Sequence, residues 1–577
     1  MLFSELSEYF SKLEATTKRL EMFNILSEAF SKIDKREIAK TVYLTQEMLK
    51  PSFFGVQLGV ADKMIEKSIA KAYDVNLSVV QSADKSAGDP GLVSEKYNRT
   101  AKAKKLEVSE VYDKLFEISE ISGEGSVDSK INHISDLISS LSPQESKYVV
   151  RFMLGKLRLG VGEATIMEAL SKAKTGSRDF KQNLERAYNL CSDLGYVAET
   201  FYTKGEEGIN RLEIKVMSPI RPALAERLES SEEIIKKLDR CAVDQKFDGF
   251  RAQVHKDGEK IKIFSRNLED ITHFMPEIVE AARKLSFNKM IFDSEALTYD
   301  EDTNTLYPFQ ITIQRKRKHN VEEIAQNFPL RLFVFDIMLI NGKSLMGEPY
   351  QKRREELDKI FKEDAVISKS KIIITASAAE INKFFDDTIS NGLEGIVAKK
   401  LDSPYSAGAR NFNWIKMKRS YRSQLSDTID VVILGYLKGR GARAKFGIGA
   451  VLAGVYDKKA DTFKTIAKIG SGFSEEQFKQ LKSMLDDITV VHKPARVDSI
   501  LQPDVWVDPK YVITVKADEI TRSPIHTCGM HNGIGYALRF PRAVTFIRED
   551  KNIEDANTTT EIEEMFANQK KVELKGK

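Results

Sequence analysis

The stretch DQKFDGFRAQ (244–253) sets a lysine, Lys246, two residues before an Asp-Gly pair, Asp248 and Gly249, with Arg251 close behind. Read alone, it is a hairpin turn with solvated shoulders, because Asp-Gly suits the tight turns that join antiparallel strands. The other reading is a reactive lysine kept beside a carboxylate and a guanidinium. Ten residues do not separate the two, so the rest of the chain must.

The chain has 577 residues, which is too long for one core and implies about three or four domains. Its hydrophobic content of 42% is that of a globular protein able to bury real cores. No run approaches the roughly 20 apolar residues of a membrane span. The N-terminal MLFSELSEYFSKLEATTKRLEMF is interrupted by Glu5, Glu8 and Glu14, unlike a signal peptide. Its spacing predicts an amphipathic helix with Leu2, Leu6, Tyr9, Phe10 and Leu13 on one face. Cys191, Cys241 and Cys528 are far apart and no Cys-x-x-Cys pair occurs, which points to a reducing, cytoplasmic setting without a cysteine zinc site. The 7 histidines are scattered, against a histidine metal centre. A net charge of +4 permits nucleic-acid binding through a local basic face.

Residues 1–215 read as helical. Within SKYVVRFMLGKLRLGVGEATIMEALSKA (146–173), Val149, Val150, Phe152, Met153 and Leu157 have helical spacing. A basic segment follows, Gly155, Lys156, Arg158, Gly160 and Gly162. It reads either as a glycine-capped helix end or as a turn whose backbone N–H groups and cations approach DNA phosphates. QSADKSAGDPGLVSEKYNRTAKAKK (81–105) reads as a long loop. QEMLKPSFF (46–54) has the outline of a sliding-clamp peptide, with its aromatic pair one residue late, and reads as a helix end with buried phenylalanines.

Composition changes near residue 216, at VMSPIRPALAERL. RAQVHKDGEKIKIFSR (251–266) alternates around Asp257-Gly258 and predicts a hairpin. RLFVFDIMLING (331–342) predicts a buried strand ending in an Asn-Gly turn. Beyond residue 420, DVVILGYL, GIGAVLAGVYD and YVITVKADEI predict the strands of a small β-barrel. NGKS (341–344) is not a phosphate loop, because Ile337 stands where the first glycine is needed. GIGAVLAG (447–454) is not a dinucleotide fingerprint, because Leu452 occupies the third glycine position. Any nucleotide is held some other way.

Lys246 gains company downstream: Arg266 in FSRNLEDIT (264–272), Glu295 in IFDSEALTYD (291–300) and Phe335 in FVFDIM (333–338). Glu394 and Lys399 follow in LEGIVAKK (393–400), and Lys416 and Lys418 share one face of a strand in NFNWIKMK (411–418). Arg548, Asp550 and Lys551 end RFPRAVTFIREDK (539–551). In this order and at these separations, the set resembles the ATP-dependent DNA ligases of the archaeal and eukaryotic replicative type, within the covalent nucleotidyltransferase superfamily. GEGSVDSK (123–130) and GKLRLGVGEATI (155–166) extend the resemblance through the helical part.

The resemblance implies an all-α DNA-binding domain (1–215), an α+β adenylation domain (216–420) and an OB-fold β-barrel with a C-terminal tail (421–577). It implies ATP as cofactor with Mg²⁺, or Mn²⁺ in its place. Lys246, within the motif that includes Asp248, would store AMP as a phosphoramidate. Free lysine titrates at ~10.4, and nearby cations favour the neutral, nucleophilic form. Glu295 and Glu394 would hold or orient the metal. Arg251 and Arg266 would contact the ribose and phosphate side, and Phe335 would stack on adenine. Lys399, Arg410, Lys416 and Lys418 would neutralise phosphate charge, and Arg548 and Lys551, oriented by Asp550, would meet departing pyrophosphate. Gly155, Lys156, Arg158 and Gly160 would meet DNA. The family often has a glutamate two residues before the nucleophile to contact the adenine amino group; here it is Asp244, one methylene shorter. The implied partner is a nicked duplex, with a sliding clamp as a further candidate, bound by a monomer. RKRK (315–318) is expected to face DNA. A hinge is expected between residues 416 and 430. A capping enzyme or RNA ligase would lack the helical domain with GKLRLGVGE, and an NAD-dependent ligase would carry a four-cysteine zinc module. A non-catalytic DNA-binding scaffold would not need the whole set of site residues.

Overall fold

The computed structural model describes residues 1–100, 103–300, 305–306, 315, 325, 328–362, 364–391, 393–418, 428–439 and 441–574. It divides into two compact units. The first comprises Met1–Glu226, Arg240–Ile374 and Lys399–Ile415, and the second Arg227–Asp239, Thr375–Ala398 and Lys416–Lys577.

In the first unit the chain is helical from Phe3 to Asn210. Helix Phe3–Glu14 buries Leu6, Tyr9, Phe10 and Leu13, the expected stripe, while Leu2 stands just outside as the N-cap. The region 81–105 is not a long loop. Helices Leu77–Ala87 and Pro90–Tyr97 occupy its first part. Its punctuation residues are helix boundaries: Gly88 is left-handed and ends one helix, the Asp89 side chain accepts the Gly91 N–H, and Pro90 starts the next. In the clamp-like segment Phe53 is buried, with its ring edge-on to Phe264 at 6.2 Å, whereas Phe54 is 55% exposed, against the expectation that both are buried.

The Asp257-Gly258 hairpin forms as expected, pairing Phe250–Asp257 with Lys260–Ser265. Phe250–Asp257 also pairs with Lys289–Asp300, which pairs with Leu330–Ile340. The last strand ends in a turn with Asn341 and Gly342 both at positive φ. Side chains alternate across this antiparallel sheet. One face carries Phe250, Ala252, Val254, Phe292, Leu332 and Val334, in one core with Ile278 and Leu357 from covering helices. The opposite face is left to Arg251, Gln253, Asp293, Glu295 and Phe335.

Arg315 does not face DNA. It is buried and donates to Glu277 Oε1 at 2.7 Å and to the Phe274 carbonyl at 2.9 Å, because burial of its charge demands a partner. Lys316, Arg317 and Lys318 lie outside the described residues, as do residues 419–427 of the expected hinge.

In the second unit, Ile429–Leu437 pairs antiparallel with Ala450–Asp457, Val505–Val507 and Val512–Lys516. Ala450–Asp457 continues to Thr462–Ile469. Inward residues such as Ile433, Val451, Ile466 and Ile513 form one core with Phe478 and Leu481 of helix Glu475–Asp486.

Candidate active site

Asp248-Gly249 is not a hairpin turn. The strand before it, Cys241–Lys246, and the strand after it, Phe250–Asp257, belong to different sheets. The pair is a crossing point, and the solvated-shoulder reading fails. A side chain at Gly249 would lie 2.4 Å from the Ala296 carbonyl oxygen, so only glycine fits. Its N–H donates to Glu295 Oε1 at 3.2 Å, tying the loop after Lys246 to the sheet. Lys246 is half-buried and donates to the Phe247 carbonyl at 3.2 Å. Phe247 in turn stacks on Phe333 at 4.4 Å.

Arg251 makes three hydrogen bonds on this face. It donates to Asp293 Oδ2 at 2.6 Å, the Ala223 carbonyl at 2.8 Å and the Tyr405 hydroxyl oxygen at 3.2 Å. Burial opposes its charge, but Asp293 more than offsets this and holds the guanidinium above its ordinary pKa. Burial first, then Asp293, pushes the Tyr405 phenol well up, so Tyr405 stays a neutral donor to that carboxylate. The Arg251 guanidinium also lies 5.5 Å from the Phe335 ring centre. Arg251 and Arg266 line one cleft with Ile220, Pro222, Gln253 and Asp293. Arg266 itself is exposed, as is Arg410.

Lys399 sits in an aromatic cage, with Nζ 4.9 Å from the ring centre of Phe335, 4.7 Å from Tyr350 and 4.6 Å from Trp414. It donates to Asp244 Oδ2 at 2.9 Å and to the Phe335 carbonyl at 2.8 Å. Burial opposes this charge too, and Asp244, with Tyr350 and Asp336, holds it above the ordinary lysine value. The other oxygen of Asp244, Oδ1, is buried with no protein partner. Two residues assigned separately to phosphate and to base are thus joined. Phe335 is half-buried rather than core, and Trp414 is one wall of the cage.

In the second unit Glu394 pairs with Lys418, and Lys416 and Lys418 share one half-buried strand face. Asp550 takes Arg548 in a two-point fork, Nε at 2.7 Å and Nη2 at 2.6 Å. Lys551 Nζ pairs with Asp430 Oδ2 at 2.5 Å. Among the described residues no group of three or more His, Cys, Asp or Glu is placed to hold a metal.

The basic glycine segment of the helical part begins as a Schellman cap. Gly155 is left-handed and donates to Phe152, and Lys156 donates back to Arg151. Leu157 and Leu159 are buried. Its cations pair with carboxylates, Lys156 with the exposed Asp62 at 2.9 Å and Arg158 with the buried Asp89 at 3.1 Å. Gly160 is left-handed, with a Met22 methyl 3.1 Å from where a side chain would start.

Sequence reasoning missed Asp293, Tyr405 and Asp430. Asp293 had a usable signal: it stands two residues before Glu295 in a strand, hence on the same face. Tyr405 and Asp430 had none, since each acts on residues distant in sequence.

Three family descriptions match the chain: "DNA ligase N terminus" over residues 2–171, "ATP dependent DNA ligase domain" over 222–418 and "ATP dependent DNA ligase C terminal region" over 444–551. It is 51% identical to a probable DNA ligase of Dictyoglomus turgidum across 99% of this chain and 98% of that one. It is 41% identical to a DNA ligase of Sulfurisphaera tokodaii across 98% and 97%. A solved structure titled Pmar-Lig_PreS3 shares the fold, with a TM-score of 0.57 and 17% identity over 94% of this chain and 98% of that chain. With a helical N-terminal region, a central adenylation domain and a β-rich C-terminal region, the chain belongs to the ATP-dependent DNA ligases.

Proposed function

We propose that this enzyme seals 5′-phosphate/3′-hydroxyl nicks in duplex DNA through a lysyl-AMP intermediate and a DNA-adenylate, in replication, repair and recombination. Lys246 Nζ attacks the α-phosphorus of ATP. A nitrogen–phosphorus bond forms, the bond to the bridging oxygen breaks, pyrophosphate leaves with that electron pair, and the lysine proton passes to solvent. The 5′-phosphate of the nick then displaces Lys246 from AMP, and the 3′-hydroxyl expels AMP as the new phosphodiester forms. The observation that carries this reading is the common sheet face holding Arg251, Glu295 and Phe335, with Glu295 bonded to the loop that follows Lys246.

On this reading Phe335 stacks on adenine, and the unpartnered Asp244 Oδ1 accepts its amino group. Lys399 then serves as the fixed counter-ion of Asp244, and Arg266 reaches the sugar and phosphate side with Arg251. Arg410, Lys416 and Lys418 neutralise phosphate charge. Glu295 and Glu394 are proposed to bind Mg²⁺ or Mn²⁺. Scattered single carboxylates suit Mg²⁺, which draws most of its ligands from water and substrate phosphates. The metal would supply charge neutralisation at those phosphates. The proposed domains are 1–215, 216–420 and an OB-fold at 421–577, in a cytoplasmic monomer whose 155–160 segment meets DNA.

Incubation with α-labelled ATP and Mg²⁺, then with a nicked DNA or a nicked RNA duplex, tests the proposal. Label should pass to the protein, then to DNA, and leave as AMP on sealing. Label from GTP in its place, or sealing confined to RNA, would overturn it.

A further inference from the structure

We propose that Asp430 is a positioning residue for self-adenylation, fixing the two barrel cations Arg548 and Lys551; this rests on the proposed role of those cations in meeting pyrophosphate. Asp430 is buried near the start of strand Ile429–Leu437. Its partner across the antiparallel pair is Thr514, whose hydroxyl donates to Asp430 Oδ1 at 2.6 Å. Its backbone N–H donates to Asn557 Oδ1 at 2.7 Å, and its carbonyl accepts the Asn557 N–H at 3.0 Å. The carboxylate is therefore held from both strand and side chain.

Both cations converge on it. Lys551 Nζ lies 2.5 Å from Oδ2, and Arg548 Nη1 lies 3.5 Å from Oδ1 and 3.3 Å from the Thr514 hydroxyl oxygen. The remaining edge of Arg548 goes to Asp550, which is 64% exposed. The two carboxylates differ in kind. An exposed pair is weak and easily exchanged, so Asp550 can give up its place to a phosphate oxygen. A buried carboxylate stripped of its cations is costly, so Asp430 keeps its hold. Asp430 thus sets where the ammonium and one guanidinium edge stand before any anion arrives. Lys551 is 121 residues away in sequence, so local structure alone cannot do this.

The test uses the full chain and two assays: formation of enzyme-AMP from α-labelled ATP, and sealing of a nick already carrying AMP on its 5′ end. Asp430→Asn should slow the first about tenfold, less than the ~10²–10³ of a removed transition-state donor because both cations remain, and leave the second within about twofold. Asp430→Glu, which keeps the charge, should recover most of the first. Lys551→Ala is the control for the role of the cations. If Lys551→Ala slows enzyme-AMP formation and Asp430→Asn does not, the assignment of Asp430 is wrong while the cation role stands. If neither variant slows it, the cation role itself fails. Equal slowing of both assays by Asp430→Asn would make Asp430 merely structural. Should Asp430→Asn not fold, Thr514→Val decides, because it removes the hydroxyl that donates to Asp430 Oδ1 and accepts from Arg548: a defect confined to the first assay supports the proposal, and equal or absent defects overturn it.

Discussion

Arg251 and Asp293 form a buried ion pair at 2.6 Å, and the same oxygen of Asp293 also accepts the Tyr405 hydroxyl. Their strands are adjacent, and both side chains stand on the face away from the hydrophobic core. The guanidinium is therefore aimed before any nucleotide binds, which is how a site reduces reorganisation during reaction.

Removing Asp293 leaves a buried guanidinium uncompensated. Asp293→Ala should destabilise the protein by about 3–5 kcal/mol, read from the urea midpoint. Tyr405→Phe should cost less, about 1.5–3 kcal/mol, chiefly for the hydrogen bond to the Asp293 carboxylate, although the Ala223 N–H and Arg251 also lose an acceptor. A wild-type midpoint for Asp293→Ala would show that the pair is not the anchor.

Lys246→Ala should abolish enzyme-AMP formation while leaving the melting temperature near the wild-type value, because the half-buried ammonium bonds the backbone carbonyl of its neighbour Phe247. Lys246→Arg should fail too, since a guanidinium stays protonated and cannot attack. Acid-stable AMP labelling of Lys246→Ala would transfer the nucleophile's role elsewhere.

His255 provides a pH prediction. Its Nδ1 accepts the Met217 N–H at 3.1 Å, which leaves Nε2 to donate to Gln253 Oε1 at 2.9 Å, and burial pushes its pKa down to about 3. The unfolded chain takes up a proton near pH ~6.5, where the folded chain does not. The contribution is therefore complete above that pH and is lost as pH falls toward 3, at up to ~1.4 kcal/mol per pH unit. His255→Asn should show a shallower loss of stability between pH 7 and 4 than wild type. Parallel profiles would contradict this.

Lys156 pairs with the exposed Asp62, and the half-exposed Arg158 pairs with the buried Asp89, which Arg151 also holds. If they exchange Asp62 and Asp89 for DNA phosphates, replacing either with alanine should weaken nick binding and reduce the salt slope of log K by ~0.9 per lost contact. Unchanged slopes would leave the segment as a helix cap only.

Pattern and punctuation in the chain were enough for much of this. Alternation around Asp257-Gly258 and the apolar run RLFVFDIMLING marked strands and the turns that end them correctly, and the order of motifs marked the family. The failures have specific causes. Gly88, Asp89 and Pro90 look like a loop in composition but are a stop, a cap and a start, so the error lay in reading punctuation as a segment. Asp248-Gly249 has the residues of a hairpin, yet the strands on its two sides join different sheets.

Alone, the sequence determined which residues share a strand face, where the Asp257-Gly258 hairpin turns and which chemistry-bearing types occur in what order, because these follow from local periodicity and turn preference. Only the tertiary structure decided the partners: Lys399 with Asp244 across 155 residues, Tyr405 with Asp293 across 112, Lys551 with Asp430 across 121. The physical reason is that a buried charge must find an opposite one wherever packing brings strands and loops together, and that proximity is set by the whole fold rather than by neighbours along the chain.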